Sequence, residues 1–154
     1  MDLTKSLGLG WRSESFLRTC KILEERFGGV VPSDTNSLMS LPGVGHYVAA
    51  AVRSFGFGKR AILVDTNTIR IAARVAGKPA DPANHRSQYI HDLVRCLGPS
   101  GLPPLPQDNY ALLDLAALIC LPRAPKCAEC PISIECVTGR SVLDVDAQDD
   151  SHNQ

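Results

Sequence analysis

The sequence predicts an all-α protein with a cysteine-rich loop near its C-terminal end. Several segments repeat apolar residues at helical spacing, and glycine or proline separates them. The one strand-like run, residues 62–64, is only three residues long. The chain has 154 residues, of which 44% are apolar. That is enough to bury the core of one ordinary domain or of two small subdomains, which argues against global disorder.

The first helix is predicted to begin after Ser13, a suitable N-cap, and to end at Gly28-Gly29. A second, short helix is expected after the turn 32–34 and through Met39. Apolar residues at helical spacing along the first helix predict its buried face. These residues are Phe16, Leu17, Cys20, Leu23 and Phe27.

A glycine hairpin is predicted next, in Leu41-Pro42-Gly43-Val44-Gly45, before a helix of small residues over 46–52. Glycine permits positive φ and the close approach of another backbone. Such a loop directs backbone N–H groups outward at a helix start, which suits a phosphate. No Gly-Lys-Ser/Thr follows, so this is not a Walker loop. An ordinary turn between two helices is the simpler alternative.

Three further helices are predicted in the second half of the chain. The first starts within Val64-Asp65-Thr66-Asn67 and stops at Gly77. A helix N-cap is the simplest interpretation of its aspartate. The other two are expected over 87–97 and 109–120, on either side of a proline-rich loop.

The six cysteines fall into two groups. Cys20 and Cys96 lie in apolar surroundings and are expected to be buried. The other four are spaced Cys120-x6-Cys127-x2-Cys130-x5-Cys136, with prolines between them that favour a wrapped loop. The N-terminal residues show no secretion signal, so a metal centre is favoured over disulfides. Zinc and an iron–sulfur cluster both stay open, and the single C-x2-C pair with uneven outer loops favours the latter.

Charge and hydropathy narrow the function classes. Lys plus Arg and Asp plus Glu each total 16, which excludes a binder of nucleic acid coated uniformly in positive charge. Four basic residues would still attract phosphate locally. They are Lys59, Arg60, Arg70 and Arg74. For Arg70 and Arg74, a solvated helix face is an equally good explanation. The sequence has no run of eighteen apolar residues, so no membrane-spanning helix is predicted. Its N-terminal residues lack the apolar core of a signal peptide, so a cytoplasmic or nucleoid location is expected.

The hairpin 41–45, the segment 64–67 and the cysteine spacing occur in an order that resembles one known family. It is the endonuclease III type of DNA glycosylase, the helix-hairpin-helix superfamily with a Gly/Pro-rich segment and a catalytic aspartate (HhH-GPD). The similarity covers residues 7–136. It implies the all-α glycosylase fold and a 4Fe-4S cluster in the C-terminal loop. The implied ligands are Cys120, Cys127, Cys130 and Cys136.

The resemblance implies excision of a mismatched or damaged base from double-stranded DNA. A stacked base must first be extruded into a pocket. Cleaving its N-glycosidic bond develops positive charge on the sugar, and a carboxylate stabilises that charge or activates a water. Asp65 is the implied catalytic carboxylate, and Asn67 would place a strand or that aspartate. The hairpin would grip phosphate through its backbone. The implied DNA-binding residues are Leu41, Gly43, Val44, Gly45, His46 and Asn67.

Tyr47 separates subclasses within the resemblance. Bifunctional members carry a lysine two residues after the last hairpin glycine, and its amine forms a Schiff base with the sugar. Tyr47 occupies that position, and a phenol cannot form a Schiff base, so a monofunctional enzyme with Tyr47 in its catalytic site is implied. Tyrosine there resembles thymine glycosylases acting on G·T mismatches, whereas adenine glycosylases acting on A·G mispairs usually have serine. A core aromatic packed beside Val44 and Val48 is the structural alternative.

The resemblance also implies a domain organisation. Residues 1–107 would form part of a helical barrel, with the hairpin at 41–52 and the aspartate segment at 64–77. Residues 108–138 would form the cluster-bearing helix and loop, and 139–154 a disordered acidic tail. Family members have a further segment before the point where this chain starts. The fold is therefore expected to be incomplete at its N-terminus, and a monomer is expected for a form with those helices.

Three alternatives to a monofunctional mismatch glycosylase stay open. A catalytically inactive DNA-binding remnant would keep the hairpin and the cluster but excise nothing. A bifunctional endonuclease III relative would act on damaged pyrimidines. An iron–sulfur redox or sensor protein would have no affinity for DNA, and the hairpin argues against it.

Overall fold

The computed structural model describes residues 10–151, with side chains for residues 13–144. This range contains seven α-helices: α1 (Gly10–Phe27), α2 (Thr35–Met39), α3 (His46–Ala51), α4 (Thr66–Ala76), α5 (Gln88–Arg95), α6 (Pro106–Leu118) and α7 (Val137–Ser151). It contains no strand, which confirms the predicted all-α class. None of its helices is both long and apolar enough to cross a membrane.

The chain divides into two compact units, residues 1–58 and 59–154. The first contains α1 to α3 and the second α4 to α7. This boundary differs from the predicted one after residue 107. The physical reason is that α4 packs against α5, α6 and α7 together, so the helices on both sides of residue 107 share one core.

A small core closes the first unit around the turn between α2 and α3. Leu38, Leu41 and Ala49 are buried at its centre. Apolar side chains from all three helices pack around them and are themselves partly buried. They are Ile22, Leu23, Phe27, Met39, Val44 and Val52.

The two ends of α1 compare differently with the prediction. The helix begins at Gly10 rather than after Ser13. It stops where predicted, because Gly28 and Gly29 adopt φ of 60° and 79°, which glycine reaches without strain. The Gly29 N–H donates to the Leu23 carbonyl at 3.0 Å, which turns the chain back onto the last turns of the helix.

The predicted buried face of α1 is only partly correct. Phe16 and Leu17 are 64% and 62% exposed. Cys20 is exposed as well, and so is Cys96 at the C-cap of α5. The prediction that both cysteines are buried is therefore wrong, because each lies beside an apolar contact face rather than on it.

The face of α1 that contacts the hairpin carries small hydroxyl side chains instead. Thr19 Oγ1 donates to the Pro42 carbonyl at 2.9 Å. A Cβ placed on Gly43 would lie 3.5 Å from the Cβ of Ser15. Small side chains let the hairpin backbone approach α1 closely, and a pattern based on apolar spacing selects the neighbouring face.

The central helix of the second unit is α4. It contacts α5 through Ile69 and Ala72, which share a core with three buried residues of that helix. It contacts α6 through Ile71. Its ends are those predicted, because Asp65 is the N-cap and Gly77, with φ of 60°, is the C-cap. The helix therefore holds Asp65 at its start and presents its remaining face to the cysteine-rich loop.

Helix α6 differs from its predicted bounds at both ends. It begins at Pro106, because proline suits a first helical turn. The Asp108 carboxylate also accepts the Leu105 N–H at 2.8 Å. The helix ends at Leu118, so Cys120 follows it rather than closing it.

Helix α7 lies where the sequence predicts a disordered tail. The structure has this helix over Val137–Ser151, and residues 152–154 lie outside the described part. Its first turn is held by tertiary contacts, because Thr138 Oγ1 donates to the Arg74 carbonyl at 3.1 Å. The contact between Thr138 and Arg74 fixes the start of the helix, and polar residues then extend the helix. The amino-acid composition of the segment does not reveal such a long-range contact.

The contact between α4 and α7 can be measured at Gly77. A Cβ there would lie 2.7 Å from Cγ1 of Val137. We expect Gly77→Ala to lower the free energy of unfolding by about 2–3 kcal/mol, since overpacking adds to left-handed strain of roughly 1 kcal/mol. Gly101→Ala, at φ of 70° with nothing within 4 Å, should cost only about 1 kcal/mol. Urea denaturation measures both, and equal losses would contradict the close contact.

Candidate functional site

The hairpin of the first unit forms as predicted between α2 and α3. Gly43 adopts φ of 75°, and the Val44 N–H donates to the Leu41 carbonyl at 3.2 Å to close the turn. Gly45 is the N-cap of α3 and has no side chain to cap it. The His46 N–H, at the first position of α3, therefore has no partner within the helix.

The predicted DNA-binding residues of the hairpin separate into two sets. Leu41 is 5% exposed and Val44 packs against the same core, so their side chains build the turn. Gly43, Gly45 and His46 are exposed. Any contact between Leu41 and a large ligand would therefore have to use backbone atoms.

Tyr47 lies in the first turn of α3 and is 37% exposed. It is outside the buried core of its unit, which does not favour the interpretation as a core aromatic. The helix then widens into a single π-turn over Val52–Gly56, a feature the sequence does not predict. Such turns occur often at functional sites. Here Arg53 Nη1 donates to Thr35 Oγ1 at 3.0 Å and ties the turn back to α2.

Asp65 forms a complete capping box at the start of α4. Its Oδ1 accepts the N–H groups of Asn67 at 2.9 Å and of Thr68 at 2.8 Å. The Asp65 N–H donates in return to Thr68 Oγ1 at 3.0 Å. The buried Thr68 hydroxyl donates onward to the Leu63 carbonyl at 2.7 Å. The carboxylate is therefore held rigidly, and its Oδ2 is the oxygen that the cap leaves for other partners.

Sequence reasoning missed Thr68. The sequence signal was weak, because the capping-box pattern has glutamate or glutamine at the third position after the N-cap, and threonine stands there. Mobility of the aspartate would weaken any role in which its charge must be positioned. Thr68 supplies the rigidity that such a role requires.

A hydrogen-bonded path leads from Asp65 to the cysteine-rich loop. Asn67 Nδ2 donates to Asp65 Oδ2 at 3.2 Å, and Asn67 Oδ1 accepts from Arg70 Nη1 at 3.1 Å. Arg70 also donates through Nε to the Cys120 carbonyl at 2.9 Å and through Nη2 to the Ala116 carbonyl at 3.1 Å. The path joins the cap of α4, the end of α6 and the first cysteine of the loop.

The predicted roles of Arg70 and Arg74 as phosphate-attracting or solvated side chains are therefore not what the structure shows. Both guanidinium groups donate to backbone carbonyls in or next to the cysteine-rich segment. Arg60 likewise donates to the Pro103 carbonyl at 2.8 Å. All three arginines thus donate to carbonyls within the second unit. Their partners lie 43 to 50 positions away along the chain, so the local sequence does not reveal these contacts.

The four clustered cysteines line one small cavity of about 20 Å³. Cys136 is buried and the other three are partly buried. Burial raises the pKa of the Cys127 thiol, and the nearby Cys136, Cys130 and Cys120 raise it further. Four thiolates in one cavity would repel one another unless a positive group lay among them. The chemistry of the four thiols therefore fits a cationic group bound by sulfur.

The backbone of the cysteine-rich loop is irregular around this cavity. Within the described ranges, no three histidine, cysteine, aspartate or glutamate side chains are arranged as a site for a metal ion. The loop itself is irregular, with one short 3₁₀ turn at Cys127–Glu129. Ala124 adopts φ of 47° before that turn, so the segment wraps as the prolines predict.

Two proteins of known sequence that are similar to this chain are both named as DNA glycosylases. A thymine/uracil-DNA glycosylase of Methanothermobacter thermautotrophicus is 35% identical over 133 residues, covering 86% of this chain and 59% of the relative. An adenine DNA glycosylase of Buchnera aphidicola is 33% identical over 138 residues, covering 88% and 38%. No protein-family model matches the chain. The chain thus spans about six tenths or less of the length of these relatives.

Two solved structures superpose on most of this chain. A thermostable thymine-DNA glycosylase superposes with a TM-score of 0.71 and 34% identity, covering 85% of this chain and 59% of that one. Endonuclease III in a trapped covalent intermediate with DNA superposes with a TM-score of 0.67 and 26% identity, covering 86% and 60%. Both likenesses extend over most of the helices described above.

Proposed function

The chain belongs to the endonuclease III-type helix-hairpin-helix superfamily of DNA glycosylases, and from this premise we propose that it hydrolyses the N-glycosidic bond of a mismatched base in duplex DNA. This is the base-removing step of base-excision repair. The observation that carries the proposal is the placement of Asp65. It stands at the start of α4, held by a capping box and by Asn67.

The chemistry follows from what Asp65 offers. As the N–glycosidic bond breaks, positive charge develops on the sugar, and a fixed carboxylate stabilises that charge. Each carboxylate oxygen has two lone pairs. Oδ2 accepts from Asn67 Nδ2 in the structure and so retains capacity to accept from a water. The same group can therefore orient the water that attacks the sugar.

Thymine opposite guanine is the proposed substrate. Tyr47 stands where a Schiff-base lysine would be required for strand cleavage, so the enzyme is monofunctional. Thymine or uracil is what the relative from Methanothermobacter thermautotrophicus is named for. Adenine in an A·G mispair is the second candidate, supported by the adenine DNA glycosylase of Buchnera aphidicola. Tyrosine rather than serine at position 47 favours thymine.

Duplex DNA is the proposed partner, bound through the backbone of the hairpin. The exposed Gly43, Gly45 and His46 leave their main chain accessible to a phosphate. Backbone contacts of this kind position DNA without requiring net positive charge, which agrees with a chain whose charges balance. The protein would act in the cytoplasm, at the nucleoid, and a form with the further N-terminal helices of the family would be a monomer.

Gly45 offers a sharp test of the hairpin. Its φ is −95° and a Cβ there would meet nothing within 4 Å, so Gly45→Ala should fold normally. A methyl group between the backbone and a phosphate should weaken DNA binding by roughly tenfold, about 1.4 kcal/mol. Fluorescence anisotropy at several salt concentrations measures this. Gly56→Ala, at an exposed glycine without a positive φ where a Cβ would meet only Val52 Cγ1 at 4.0 Å, is the control, and equal affinities of the two variants would contradict the role.

A 4Fe-4S cluster is the proposed cofactor, held by Cys120, Cys127, Cys130 and Cys136. Supporting this are the shared cavity and the mutual repulsion of the thiolates described above. When bound, such a cluster supplies a redox-active cross-link of the loop. The protein's own contribution is to bring the four thiols together and to connect the loop to α4 through Arg70 and Arg74.

Single-turnover excision tests the proposal. The anaerobically purified chain would be mixed with duplexes carrying G·T, G·U or A·G pairs, and alkali would reveal abasic sites. We expect removal of thymine and uracil opposite guanine, without strand cleavage before alkali. Removal of adenine instead would select the second candidate. Binding without excision of any base would refute a catalytic role for the chain as it stands.

A further inference from the structure

Arg74 contacts both ends of the cysteine-rich loop. Its Nη1 donates to the Leu121 carbonyl at 2.7 Å and to the Cys120 sulfur at 3.2 Å. Its Nη2 donates to the Pro122 carbonyl at 3.1 Å. One planar guanidinium thus holds the three residues that begin the loop, including the first of the four cysteines.

The backbone of the same residue contacts the last cysteine. The Arg74 carbonyl accepts from Cys136 Sγ at 3.3 Å and from Thr138 Oγ1 at 3.1 Å. The Thr138 hydroxyl is thus a second donor to this carbonyl, beside the Cys136 thiol. The Gly139 N–H donates to Cys136 Sγ at 3.3 Å.

Charge distinguishes Arg74 from the other groups around the cavity. The second basic residue lining it is Lys126, which pairs with Glu129 at 4.0 Å and whose side chain is half exposed. Arg74 instead donates directly to a cysteine sulfur. It is the cation best placed to offset negative charge on the ligands.

We propose that Arg74 is a positioning residue for the sulfur-bound cluster. Arg74 sets the reduction potential of the cluster and slows the loss of the cluster from the protein. The inference rests on the cluster proposed above. Reduction adds negative charge to the cluster, so a neighbouring cation and N–H donors to sulfur favour the reduced state and raise the potential. The bonds to Leu121 and Pro122 act separately, since they hold the loop closed whatever the charge on the cluster.

Two variants separate these contributions. Arg74→Lys keeps the charge but loses the planar fork, and Arg74→Gln loses both. For each, iron and sulfide content, the midpoint potential and the rate of cluster loss to a chelator would be measured without DNA. Arg86→Gln, an exposed arginine in the link before α5, is the matched control.

We expect Arg74→Gln to lower the potential and to lose its cluster faster by on the order of tenfold. Arg74→Lys should keep nearly the wild-type potential and still lose the cluster faster. Unchanged potential and loss rate in Arg74→Gln would overturn the inference while leaving the proposed cluster intact. Wild-type protein that holds no iron and sulfide would overturn both, whatever its excision activity.

Discussion

Replacing Asp65 with asparagine should slow base excision by on the order of 10³-fold while leaving the protein folded. Asparagine is as good an N-cap as aspartate, so its Oδ1 can still accept the N–H groups of Asn67 and Thr68. The negative charge that stabilises the sugar cation is lost. The contact that changes is the one between Asp65 Oδ2 and Asn67 Nδ2, where the new amide would face another amide.

The experiment measures single-turnover excision of thymine from a G·T duplex alongside the thermal midpoint. Asp81→Asn is a matched control, because Asp81 also caps a short helical turn through the Ala83 N–H at 2.9 Å. That variant should excise at the wild-type rate. A wild-type rate in Asp65→Asn would mean that Asp65 acts only as a cap. Asp65→Ala, which also loses the cap, should in addition be less stable by about 1 kcal/mol.

The parts of the fold that sequence predicts are those determined locally. The start of α4 at Asp65 and its stop at Gly77 depend on neighbours within four residues, and both are confirmed. Gly43 of the hairpin and the stop after α1 belong to the same class, since each requires a left-handed residue at a fixed place. Local chemistry of this kind is written in the sequence itself.

Long-range contacts explain what sequence could not predict. The inward face of α1 uses the hydroxyl of Thr19 against the Pro42 carbonyl, twenty-three positions away, and no apolar pattern marks it. Arg70 reads as a solvated side chain because polar residues on a helix usually face water. It reaches the Cys120 carbonyl fifty positions along the chain. Only the folded chain shows that this arginine connects the candidate catalytic aspartate to the candidate cluster.

That connection leads to a second large expected effect. We expect Arg70→Gln to lower the free energy of unfolding by about 2–4 kcal/mol, since three charge-assisted hydrogen bonds are removed and carbonyls near the end of α6 lose their donor. Asn67 would also lose the bond that orients its amide, so excision should slow by roughly tenfold. Arg70→Lys should fall between, because one ammonium cannot satisfy three separated acceptors. Arg95→Gln, in the last turn of α5, is the control.

A double-mutant cycle decides whether Arg70 acts on Asp65 through Asn67. Asn67→Ala removes the middle of the path while keeping the contacts of Arg70 to Cys120 and Ala116. If the path works as a unit, the double variant should excise no more slowly than the slower single variant, because the second change breaks a path already broken. If the rate losses of the two single variants multiply in the double variant, Arg70 supports excision through the general stability of the protein instead. Iron content and urea midpoints measured on the same samples separate those two outcomes.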